Sequence, residues 1–151
     1  YRRDKCTCTR CTHIRRELMT RQNAREIIMQ ILYQLDVNNE FDIDEQGKYL
    51  ENLDMGKQEE YCRNLLSLVC NKKSEIDEKI SANCRNWTVS RMPKTDLAVL
   101  RLAVCEILFL DEMPDSVSIN EAVELAKKYG EEKSSSYING ILGSISRSKE
   151  N

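Results

Sequence analysis

The sequence predicts an all-α protein of about seven helices, and three observations carry that prediction. Apolar residues recur at three- and four-residue intervals in one segment after another, with no alternating strand pattern anywhere. Glycine numbers 5, proline 2 and aromatics 6% of 151 residues, which suits helices joined by short turns. Most telling is TDLAVLRLAVCEILFL, residues 95–110, where Arg101 and Glu106 are the only charges between Asp96 and Asp111. A helix apolar around most of its circumference has to be wrapped by others. It is also too short and too interrupted for a membrane span, which takes about 20 largely apolar residues. The absence of a signal-like segment adds to this, and the sequence predicts a cytoplasmic protein.

Residues 1–18, YRRDKCTCTRCTHIRREL, are unlike the rest. Cys6, Cys8, Cys11 and His13 form the only local set of metal-ligand types, and His13 is the sole histidine. Thiolates and imidazole are the usual tetrahedral zinc ligands, but C-x-C is tighter than the usual spacing and no second pair follows at finger distance. No metal site is therefore expected, with this quartet as the weaker alternative. The chain does not begin with Met, and Arg15-Arg16 just upstream of Met19 is what a purine-rich ribosome-binding site yields when translated. The expectation is that 1–18 is a non-native or disordered leader, 19–147 a single helical domain and 148–151 a tail.

The first domain helix is expected from Asn23 to Leu35, with Ala24, Ile27, Ile28, Ile31, Leu32 and Leu35 as its stripe and Thr20 or Asn23 as its cap. Arg21 and Arg25 are one turn apart, predicting two guanidinium groups on one face beside a positive helix end, an arrangement suited to phosphate. Residues 38–60 are acidic, and Asp44 is expected to cap a short helix carrying Tyr49, Leu50 and Leu53 before a turn at Asp54 and Gly56. A third helix presents Tyr61, Leu65, Leu66, Leu68 and Val69 inward. Ser74 is expected to cap a fourth, carrying Ile76, Ile80 and Cys84 to a core Trp87.

Pro93 then permits the central helix to start, with Asp96 in its first turn, and Pro114-Asp115 end it. Ser118-Ile119-Asn120-Glu121 reads as a capping box for a helix ending at Gly130. A last helix carries Ile138, Ile141, Leu142 and Ile145. Cys62, Cys70, Cys84 and Cys105 fall on helices and read as reduced core or near-core residues.

The net charge of −2 conceals an asymmetry. Residues 1–25 hold Arg2, Arg3, Lys5, Arg10, Arg15, Arg16, Arg21 and Arg25 against Asp4 and Glu17, so the body that follows is acidic. A basic arm on an acidic body suggests a polyanion at the arm and a basic partner on the body. No sequence-local catalytic constellation is present. There is no Gly-rich phosphate loop or zinc-protease helix, and the lone histidine lies in the leader. A non-enzyme is expected.

Three segments resemble the NusB family of bacterial transcription antitermination factors. They are Ala24-Arg25-Glu26 running on to Gln30-Ile31-Leu32-Tyr33-Gln34; Trp87 to Arg91, then Asp96 with Leu100-Arg101-Leu102-Ala103 and Glu106; and Val117 to Lys127 and Gly130, ending in Tyr137-Ile138-Asn139-Gly140-Ile141-Leu142. The stretches INEAVELAKKYG and SYINGIL are the specific ones, and the likeness covers 19–147. The resemblance implies two small helical bundles joined by the long central helix. It implies binding of boxA-type RNA together with the NusE ribosomal protein, within an RNA polymerase antitermination complex that reads through terminators, chiefly in ribosomal RNA operons. It implies no cofactor, and it allows a homodimer through the RNA-facing surface.

Carried over by position, Arg21 and Arg25 match the family's basic arm, Tyr137 and Asn139 its last-helix motif near RNA, and Asp96 the start of the central helix near RNA and partner. Tyr33 or Tyr137 would stack on unpaired bases. Lys133, on the partner-binding surface, stands where an acidic residue is common, and Gln22 and Asn23 stand where further basic residues are. Two alternatives remain: an accessory RNA-binding domain of an RNA methyltransferase, and a helical scaffold that binds protein only.

Overall fold

In the computed structural model, residues 19–41, 49–51, 53–85 and 89–149 are described. They form six α-helices: α1 (Arg21–Asn38), α2 (Glu59–Asn71), α3 (Lys73–Ala82), α4 (Lys94–Phe109), α5 (Asp115–Tyr129) and α6 (Ser134–Lys149). Short 3₁₀ turns occur at Gly56–Gln58 and Val89–Arg91. The expected helix capped by Asp44 falls largely on residues outside the described ones, as do Trp87 and the leader quartet of Cys6, Cys8, Cys11 and His13.

Helix α4 is the hub and packs against all five other helices. Every residue from Asp96 to Ile107 is buried. Helices α1, α2 and α3 gather along one side of it, and α5 and α6 pair along another. Burial of each large side chain on α4 contributes about 1.5–3 kcal/mol. Its two mid-helix charges survive burial because each is paired, as buried ions must be. Arg101 reaches Asp77 at 2.9 Å and Asp36 at 3.2 Å, tying α4 to α3 and α1, while Glu106 turns to Arg25.

Local chemistry explains most boundaries. Thr20 caps α1 by accepting from the Asn23 backbone N–H at 3.1 Å, and Asn39 closes it in the left-handed region at φ 55°. Asp54 accepts from the Gly56 N–H, and Gly56 takes the positive φ of that turn. Gly130 ends α5 for a different reason from backbone freedom. Its φ is −90°, and a Cβ there would lie 2.8 Å from the Ala126 carbonyl oxygen and 2.7 Å from Ser134 Cβ.

Two expected caps are corrected. Ser74 lies inside α3, because Lys72 ends α2 and starts α3, with the Ile76 N–H bonded to the Lys72 carbonyl. The fourth predicted helix accordingly ends at Ala82 rather than near residue 87. Ser118 is buried within α5, which begins four residues early because Pro114 suits a helix start and accepts from the Val117 N–H. Glu121, freed from capping, accepts from the Gln22 side chain at 3.1 Å.

Candidate nucleic-acid and partner interface

The N-terminal turn of α1 faces α2 and the α4–α5 loop. The Arg21 guanidinium stacks 3.9 Å above the Tyr61 ring, donates to Gln58 Oε1 at 2.6 Å and approaches Met113 Sδ at 3.8 Å. It remains half-buried and borders a cleft shared with Lys57 and Asn64. A guanidinium flattened on an aromatic ring keeps its edge available to an anion at little conformational cost.

Arg25 does not join it on an exposed face. Its side chain is buried, with Nε 2.9 Å from Glu106 Oε1 and Nη2 2.8 Å from Met113 Sδ. The Tyr61 hydroxyl donates to the same Glu106 oxygen. Burial first, and Glu106 second, push the Tyr61 phenol far above its ordinary range, so it stays a proton donor. The physical reason for the inward turn is Glu106, a buried acid that needs a cation.

Along α1 toward its C-terminus, a polar seam joins α1 to α5. Lys128 donates to Glu26 at 2.8 Å, the Tyr129 hydroxyl donates to the same oxygen, and Gln30 donates to Tyr129 at 3.4 Å. The Lys128 bond, and then the Tyr129 bond, hold the Glu26 carboxyl below its ordinary range. Beside the seam, Tyr33 is 41% exposed at the edge of a groove of about 440 Å³ shared with Met29, Gln30, Thr95 and Tyr129.

Asp96 is 1% exposed, so it is not itself a surface group. Its Oδ2 accepts from Ser134 at 3.0 Å and from the Tyr137 hydroxyl, while Oδ1 is buried without a hydrogen-bond partner. At the third helical position, an acidic side chain ordinarily reaches back to the N-cap N–H. Here the N-cap is Pro93, which has none. Burial, then the bond to Asp96, push the Tyr137 phenol well up. Asp96 and Tyr137 line a cavity of about 540 Å³ together with Glu131, Glu132 and the exposed Lys133. Asn139 is exposed, and at 3.6 residues per turn it projects from the opposite side of α6 to Tyr137.

The structure thus places Tyr33 at one groove and Lys133 and Tyr137 at a second, with Asp96 as the buried floor of the second. The two adjoin at Thr95-Asp96 and form the candidate strip, with Arg21 at the far end of α1 and Asn139 away from it. Sequence reading missed Glu26, Gln30, Thr95, Lys128 and Tyr129 on that strip. The Lys127-Lys128 pair in the last turn of α5 was the available signal. Among the described residues, no group of three or more His, Cys, Asp or Glu is arranged to hold a metal ion, and no helix is long and apolar enough to cross a membrane.

Comparison with known proteins gives a consistent picture. The NusB family model matches residues 22–147. A transcription antitermination protein NusB of Finegoldia magna is 42% identical over 136 residues, covering 88% of this chain and 98% of that protein. A Listeria monocytogenes NusB is 42% identical over 127 residues, covering 84% and 96%. Among solved structures, T. maritima NusB superposes with a TM-score of 0.76 at 31% identity, covering 85% of this chain and 91% of that one. A structure of antitermination factors NusB and NusE in complex with double-stranded RNA superposes with a TM-score of 0.73 at 26% identity, covering 85% and 96%.

Proposed function

This chain belongs to the NusB family of transcription antitermination proteins, which are not enzymes, and from that premise we propose that it binds boxA-type RNA together with the NusE ribosomal protein. Within an RNA polymerase antitermination complex it promotes read-through, chiefly in ribosomal RNA operons. The functional unit is 19–147, working in the bacterial cytoplasm without a cofactor. The observation that carries this reading is the likeness to a NusB solved with NusE and RNA, spanning 85% of this chain.

Arg21 serves as a phosphate contact, since its guanidinium edge borders an open cleft. Tyr33 is the stacking platform for an unpaired base, being exposed and flanked by the polar seam. Tyr137 and Asn139 are further RNA contacts from the first turns of α6, Tyr137 at the rim of the Asp96 cavity and Asn139 from the other side of the helix. Arg25 acts from beneath: its pairing with Glu106 holds the start of α1 in place for Arg21. The cavity over Asp96, edged by Lys133, is the partner contact, and its glutamates suit a basic ribosomal protein.

Two other readings make different predictions. An accessory domain of a methyltransferase would align with part of a longer protein, whereas the Finegoldia magna relative is covered to 98% of its length. A protein-only scaffold would bind NusE and no RNA. The discriminating experiment is titration of labelled boxA-type RNA with the protein alone, with NusE alone and with both. Cooperative binding by the pair supports antitermination. Partner binding without RNA affinity supports the scaffold, and no binding to either overturns the assignment. Whether the protein self-associates through the RNA-facing strip is read from its mass in solution with and without RNA.

A further inference from the structure

Met113, in the loop between α4 and α5, occupies an unusual place for a methionine. Its thioether faces two guanidinium groups, Arg25 Nη2 at 2.8 Å and Arg21 Nη1 at 3.8 Å, on the edge of the cleft beside Tyr61. Thioether sulfur is a weak acceptor, so both cations are poorly satisfied on that side. Met29, Met55 and Met92 are buried in the core at 2%, 2% and 5% exposure, whereas Met19 and Met113 are half-buried, and of these two it is Met113 whose sulfur faces the guanidinium groups at the cleft.

We propose that Met113 is an oxidative modification site, converted by a hydroperoxide to the sulfoxide, whose new oxygen accepts from Arg21 and competes with RNA phosphate for its guanidinium. The RNA consequence rests on the reading above, while the site itself does not. In the step, a sulfur lone pair forms the S–O bond as the peroxide O–O bond breaks. The sulfur is oxidised by two electrons, and the hydroperoxide leaves as alcohol, or as water from hydrogen peroxide.

The geometry suits the product better than the reactant. A separation of 3.8 Å from Arg21 Nη1 to sulfur is long for a hydrogen bond, but it leaves room for an intervening oxygen at roughly 2.7–3.2 Å from the nitrogen. A sulfoxide oxygen is a strong acceptor, and a bond from a guanidinium is charge-assisted. Among the described residues the competing thiols are held protonated. Burial pushes the Cys62 and Cys105 thiols up to about 12, Cys70 up to about 11 and Cys84 upward, and it is the thiolate that reacts.

The test treats the full chain with hydrogen peroxide in steps, maps oxidation by peptide mass, and measures boxA-type RNA affinity with NusE present. Expected is oxidation of Met113 ahead of Met29, Met55 and Met92, with RNA affinity falling by roughly tenfold as one charge-assisted phosphate contact is lost. Methionine sulfoxide reductase should restore affinity where a thiol reductant alone does not, and Met113→Leu should keep its affinity under peroxide. The proposal is overturned by Met113 oxidising no faster than the buried methionines, by Met113→Leu losing affinity equally, or by oxidised wild type binding unchanged. Failure of untreated protein to bind RNA would instead overturn the functional reading, leaving the oxidation order to decide the site.

Discussion

Arg25 Nε lies 2.9 Å from Glu106 Oε1, with the two side chains 4% and 1% exposed, so the first domain helix is locked to the central helix by a buried ion pair. An arginine that reads as part of a basic arm is therefore anchored from within. Glu106→Ala should cost roughly 3–5 kcal/mol, because it leaves Arg25 charged and unpaired in the interior. The double substitution Arg25→Met with Glu106→Leu should cost clearly less than Glu106→Ala alone. Urea unfolding of the three proteins checks both expectations.

This pair also marks how far the sequence could be read. Helix α4 was legible because apolar residues cover most of its circumference, with Arg101 and Glu106 the only charges inside it. The partners of those two charges were not legible. Asp36, Asp77 and Arg25 come to them from other helices, and pairing across helices leaves no local pattern. The misplaced caps at Ser74 and Ser118 have a similar cause. Each matched a local rule, and each lost to a neighbouring start at Lys72 or Pro114 that the fold preferred. On the candidate strip, Tyr33 and Tyr137 were visible by resemblance, but the burial of Asp96 beneath Tyr137 depends on α6 packing over the start of α4.

Gly130→Ala should destabilise the protein by about 1–3 kcal/mol, since the added methyl has backbone on one side and Ser134 on the other. Gly140→Ala, where an added Cβ meets nothing within 4 Å, should be neutral or slightly stabilising as a helix-interior change. Thermal unfolding of the two variants side by side gives the comparison, and equal effects would count against the close approach at Gly130.

The Glu26 seam sets an acid-side dependence. Because Lys128 and Tyr129 hold the folded Glu26 carboxyl below its ordinary value of 4.5, the unfolded chain binds that proton more readily. The stabilisation is fully present above 4.5 and is lost as pH falls through the lower folded value. The stability difference between wild type and Glu26→Gln should therefore be constant at neutral pH and shrink below 4.5. A denaturation series from neutral to strongly acidic pH tests this, and a difference that grows on acidification would reverse the sign.

Tyr33→Ala should weaken RNA binding by about 1–3 kcal/mol, the usual worth of one base–aromatic stack. Folding stability should move little, because the ring is 41% exposed. Affinity and melting temperature measured on the same preparation separate the two effects. A large melting shift would mean that the ring is a packing residue.

The most direct test of the division between Arg21 and Arg25 is the salt dependence of boxA-type RNA binding, with NusE present, for wild type, Arg21→Ala and Arg25→Ala. Arg21→Ala should reduce the slope of log affinity against log salt by about one while lowering the unfolding midpoint less than Arg25→Ala does. Arg25→Ala should lower the unfolding midpoint, and the protein that remains folded should keep the wild-type slope. An Arg21→Ala slope equal to that of wild type, or an Arg25→Ala protein of full stability with a reduced slope, would contradict the account.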